Sequence, residues 1–112
     1  MGEPIRWDRW RPLPVHASGG FDTVPIGPGV YWLRNRISGE EVFIGASDHV
    51  AQQMPTLLPH ALEGRGNRHE PLQVYMSKNA ASIDYRTAPA ATKKQALELG
   101  ARLRAENTCL FR

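Results

Sequence analysis

Two strand-forming segments on either side of a tight turn set the terms for the whole chain: Gly29-Val30-Tyr31-Trp32-Leu33-Arg34-Asn35, then Ser38-Gly39, then Glu41-Val42-Phe43-Ile44-Gly45. β-Branched and aromatic residues dominate both segments, and such side chains fit a pleated surface better than a helix. The Ser-Gly pair between them supplies turn chemistry. The segments are therefore expected to form an antiparallel hairpin, on which everything else must pack.

Beyond the hairpin, Ser47 or Asp48 is placed to cap a helix beginning His49-Val50-Ala51-Gln52-Gln53-Met54. Pro55 and Pro59 interrupt it, because each removes an amide donor and crowds the preceding turn. Gly64 to His69 is polar and loop-like. Leu72, Tyr75 and Met76 then share one helical face, predicting a short helix over 70–78 with Pro71 tolerated in its first turn. Ile83, Tyr85 and Thr87 alternate as a third strand ending before Pro89. Thr92 caps a last helix, 93–106, with Ala96, Leu99, Gly100 and Leu103 as its inward stripe. Lys93, Lys94, Arg102 and Arg104 are expected on the exposed face of that helix, with no site attached to them.

Upstream, residues 1–28 hold Pro4, Pro12, Pro14, Pro25 and Pro28 together with Gly2, Gly19, Gly20 and Gly27, the punctuation of irregular structure. The expected division is an irregular arm over 1–24 and one domain over 25–112. Its fold class is α+β, a small three-stranded antiparallel sheet flanked by helices.

Composition narrows the function classes. A chain of 112 residues buries one core and rarely two, so one site is expected. A net charge of +3 permits a polyanionic partner without demanding one. A single cysteine excludes an intramolecular disulfide and a cysteine zinc cage, and the four histidines lack paired-ligand spacing. No run approaches the ~20 apolar residues of a membrane span and Met1–Trp10 has no apolar signal region, so no membrane and a cytoplasmic location are expected.

Gly29-Val30-Tyr31 on one strand and Phe43-Ile44-Gly45 on the next resemble the paired strand signatures of the GIY-YIG nuclease superfamily. Leu72-Gln73, Ser77-Lys78-Asn79 and the helical Gln95-Ala96-Leu97-Glu98-Leu99 extend the resemblance over roughly residues 25–106. It implies a phosphodiester nuclease that uses a divalent metal held by a glutamate on the last helix. The same resemblance implies an arginine on the first helix and two strand tyrosines near the attacking water. A hard cation wants carboxylate oxygen, and developing phosphorane charge wants a guanidinium.

Carried over position by position, the resemblance implies catalytic places at Tyr31, Phe43, Gln53 and Gly100. Tyr31 keeps the first phenol. Phe43 keeps the second ring without its hydroxyl. Gln53 stands where the arginine falls and cannot neutralise a phosphate. Gly100 stands where the metal-binding glutamate falls and has no side chain. Glu98, the weak metal candidate, is two positions away, about 200° around the helix.

Arg34, Arg68, His69 and Lys78 are the candidate nucleic-acid contacts, each with a plain alternative as a solvated surface group. Trp7 and Trp10, interleaved with Arg6, Arg9 and Arg11, suit either base stacking or fastening the arm to the core, the latter favoured by the area an indole buries. The expectation is a catalytically impaired GIY-YIG-like domain that binds DNA or RNA and needs no cofactor. The alternatives are an active Mg-dependent endonuclease with displaced ligands, and a module for a protein partner or self-association.

Overall fold

The computed structural model describes residues 5–13, 24–54 and 70–111. The element order is β1 (Arg11–Pro12), β2 (Gly29–Asn35), β3 (Glu41–Ser47), α1 (Val50–Gln53), α2 (Glu70–Asn79), a 3-10 turn (Ala80–Ser82), β4 (Ile83–Pro89) and α3 (Lys93–Glu106).

The sheet is wholly antiparallel with strand order β1-β4-β2-β3, so it has four strands rather than the expected three. The extra strand comes from the arm: Arg11 pairs with Tyr85 and Pro12 with Asp84. Two residues, one of them proline, carry no alternation for a sequence reading to detect. Proline is tolerated there because an edge strand can spare one amide.

β2 lies at the centre with both faces covered, which explains its almost unbroken apolar run. One face holds Tyr31, Leu33, Phe43, Ile83 and Tyr85, packed by Val50 and Met54 next to the sheet and by Leu72 and Met76 of α2. The other holds Val30, Trp32, Ile44 and Ala88, packed by Leu103 of α3 and by Ile5, Trp7 and Trp10 of the arm. Each fully buried aliphatic side chain, such as Leu33 or Ile44, contributes about 1.5–3 kcal/mol. A bulge at Val42, between the Leu33–Phe43 and Arg34–Glu41 pairs, brings Val42 and Phe43 into the same apolar cluster.

The hairpin turn is organised by Asn35. Its Oδ1 accepts from the Ile37 and Ser38 amides at 3.0 and 3.1 Å, and its Nδ2 donates to Tyr75 Oη at 3.0 Å. One buried amide thus shapes the turn and ties it to α2. Gly39 has φ +78°, a conformation that favours glycine.

Helix α1 starts at Val50, with His49 as its N-cap residue and no side-chain cap, rather than being capped by Ser47 or Asp48. Its first amides are met instead by Gly27 O and Pro25 O, so a loop replaces the cap. α3 follows its expectation: Thr92 Oγ1 accepts from Gln95 N at 3.1 Å, and Ala96, Gly100 and Leu103 are buried. Among the described residues, no helix is long and apolar enough to cross a membrane.

Candidate functional site

Tyr31 sits mid-way along β2, opposite Gly45 of β3 and Thr87 of β4. Its ring lies directly over Gly45. A Cβ at that position would come within 2.7 Å of Tyr31 Cε2 and closer still to Cζ and Oη. The glycine is therefore a requirement of the tyrosine's path across β3. Phe43, one pleat along, holds its ring 6.0 Å from that of Tyr31 at 40°.

The Tyr31 hydroxyl is hydrogen-bonded to the side chain of Gln53, the last residue of α1. Burial pushes the phenol up to about 12, opposed by the Gln53 bond and by the charge of Arg104. At neutral pH this phenol holds its proton: it can donate a hydrogen bond but cannot serve as a base.

Gly100 brings α3 down onto β3. A Cβ there would sit 3.0 Å from Ala46 Cβ and 3.2 Å from Arg104 Nη1. The Arg104 guanidinium reaches back along the helix past Gly100 and donates from Nη1 to Ile44 O at 3.2 Å. Arg104 is therefore half-buried at the outer edge of the sheet, not part of a solvated face as its sequence position suggested. Its spacing of four from Gly100 was the available signal, since i and i+4 share a helical face.

Tyr31, Phe43 and Gln53 thus come together on one face of the sheet, while Gly100 lies on the other face against Ala46 and Arg104 reaches Ile44 O of β3. The other expected site residues lie elsewhere. Arg34 stacks over Trp10 at 4.0 Å and stands 3.9 Å from Asp84, which also pairs with Arg36 at 3.1 Å. Lys78 is exposed in the last turn of α2, and Glu98 is exposed on α3. Arg68 and His69 lie outside the described residues. Among the described residues, no cluster of three acidic, histidine or cysteine side chains could hold a metal ion.

On the opposite face, the arm's tryptophans are packed rather than free. Trp7 and Trp10 meet Trp32 edge-on at 5.6 and 6.0 Å, and the Arg86 guanidinium lies 4.5, 4.7 and 4.8 Å from the rings of Trp7, Trp10 and Trp32. Desolvation in this cage lowers the Arg86 pKa, with partial compensation from the charge of Glu41.

The arrangement of central hairpin, flanking third strand and terminal helix also occurs in a solved structure. It matches the N-terminal endonuclease domain of UvrC from Thermotoga maritima with a TM-score of 0.58 and 19% identity, covering 80% of this chain and 88% of that one. The chain has a GIY-YIG-like fold. The UvrC domain is described as bound to its catalytic divalent cation, magnesium. No protein-family model and no curated protein matches the sequence. In this GIY-YIG-like chain the Tyr31 and Phe43 strands form the central hairpin, and the helix bearing Gly100 packs across its outer strand.

Proposed function

We propose that this GIY-YIG-like domain binds nucleic acid and cleaves it poorly or not at all. The observation that carries the reading is the closure of α3 on β3 at Gly100. The position aligned with the metal-binding glutamate offers no carboxylate, and a side chain there would press on Ala46 and on Arg104. The residues present do not fit a divalent cation held as the resemblance implies, and no step is derived through one.

The remaining chemistry is weak for hydrolysis. Tyr31 keeps its proton at neutral pH, Phe43 offers no polar atom from its ring, and Gln53 is neutral. Losing one preorganised electrostatic donor typically costs about 10²–10³-fold in rate. What favours a nucleic-acid partner is the GIY-YIG-like fold together with the basic balance of the chain. A displaced-ligand nuclease would draw on Glu98, which is exposed and turned about 200° from Gly100. A protein-docking role for the arm would first require freeing Trp7 and Trp10 from Trp32.

The test incubates supercoiled plasmid and labelled single- and double-stranded oligonucleotides with Mg²⁺ or Mn²⁺, beside Tyr31→Phe protein and a mock purification. Salt-dependent binding without cleavage is expected. Cleavage that follows the wild-type protein and is lost in Tyr31→Phe would refute the impaired reading.

A further inference from the structure

Among the described residues Arg104 makes one hydrogen bond, to Ile44 O, and no ion pair. A half-buried guanidinium with no carboxylate beside it loses hydration without recovering it from a counter-ion. The carbonyl uses one of five N–H donors. Such a group is unusual on a helix that could have turned it to solvent. Gly100 is what lets it reach inward, since its missing Cβ leaves the space that Arg104 Nη1 approaches.

Ile44, which Arg104 contacts, precedes Gly45, over which the Tyr31 ring lies. The guanidinium, from the α3 face, and the phenol hydroxyl, from the other, therefore approach the same short stretch at the open edge of β3, where the Arg104 charge acts on Tyr31. We infer that Arg104, the Tyr31 hydroxyl and Gln53 form an anion pocket at the outer edge of β3 that takes a nucleic-acid phosphodiester without a divalent metal. The inference rests on the nucleic-acid reading above and deepens it. A guanidinium at this edge supplies the positive charge that the resemblance places on an arginine of the first helix and that Gln53 lacks.

The chemistry of the three groups suits an anion. A guanidinium presents paired donors that match two phosphate oxygens. The Tyr31 phenol keeps its proton at neutral pH and the Gln53 amide lies beside it, so both are neutral hydrogen-bonding groups for an incoming anion. Neither Tyr31 nor Gln53 brings a negative charge to repel the ligand. Arg104 positions the phosphate but supplies no water activation, which agrees with binding uncoupled from cleavage.

The experiment measures anisotropy of a labelled single-stranded oligonucleotide in EDTA over a salt series, for the wild type, Arg104→Gln and Arg104→Lys. In parallel, inorganic phosphate is titrated into ¹⁵N-labelled protein. Arg104→Gln should weaken oligonucleotide binding about tenfold and lower the salt slope by about 1, with Arg104→Lys recovering part of the loss. Phosphate should shift the Gly45, Ala46 and Arg104 side-chain N–H signals of the wild type.

Equal affinity and slope in Arg104→Gln overturn the pocket while leaving the nucleic-acid reading intact. If the wild type fails to bind the oligonucleotide, that reading falls and the phosphodiester assignment with it. Phosphate shifts confined to these signals would then retain the anion pocket alone, and their absence would overturn it too. Should Arg104→Gln fail to fold, Arg104→Lys and the wild-type phosphate titration decide the matter.

Discussion

Replacing Gly45 by alanine tests whether the tyrosine's path across β3 is as tight as the geometry requires. The added methyl would press on Tyr31 Cε2, Cζ and Oη, and the ring has little freedom to retreat: Tyr31 is 4% exposed, with Phe43 beside it and its hydroxyl bonded to Gln53. Overpacking of this kind costs about 1–3 kcal/mol. Displacing the hydroxyl from Gln53 adds about 1 kcal/mol, for a total near 2–4 kcal/mol. At about 4 °C per kcal/mol for a domain of this size, the midpoint should fall by roughly 8–16 °C. Urea and thermal unfolding read the loss directly. In a Tyr31→Ala background the clash is gone, so the same Gly45→Ala change should cost under about 0.5 kcal/mol, leaving a large coupling energy in the double-mutant cycle. A near-neutral Gly45→Ala in the wild-type background, or equal cost in both, would refute the reasoning.

Two further outcomes follow from the same structure. Because burial raises the Tyr31 pKa from 10.0 to about 12, its stabilising contribution is complete below pH 10 and is lost as pH rises toward 12, about 3 kcal/mol over that window. Tyr31→Phe should therefore flatten the alkaline fall in urea midpoints between pH 9 and 11.5, and an unchanged slope would count against the buried neutral phenol. Trp7→Ala removes an edge-on ring contact with Trp32 and a cation–π contact with Arg86, and should cost about 2–3 kcal/mol with a red shift of tryptophan emission as Trp32 is wetted. An unchanged midpoint and emission would mean that the arm contributes nothing to the core.

The hairpin and the last helix were legible because their signals are local. Val30, Tyr31, Trp32, Phe43 and Ile44 carry strand-forming side chains, and Thr92 stands directly before a helical stripe that ends at Leu103. The start of α1 was legible but its capping by Ser47 or Asp48 was not, because its first amides are met by Pro25 O and Gly27 O, carbonyls some two dozen residues upstream. β1 was missed because a two-residue pairing has no period. Nor did the sequence show that Arg34, a candidate nucleic-acid contact, stacks over Trp10 and stands near Asp84, residues far apart along the chain.

By itself the sequence determined the central hairpin, the strand after α2 and the last helix, and that Phe43, Gln53 and Gly100 stand where the resemblance implies catalytic side chains. Those are properties of side-chain type and short-range spacing. Only the tertiary structure decided that Gly45 lies beneath Tyr31, that Gly100 seats α3 against Ala46, and that Arg104 turns inward to Ile44, sixty residues earlier in the chain. These are contacts between elements, and their geometry depends on how closely a helix can approach a strand when a side chain is missing between them.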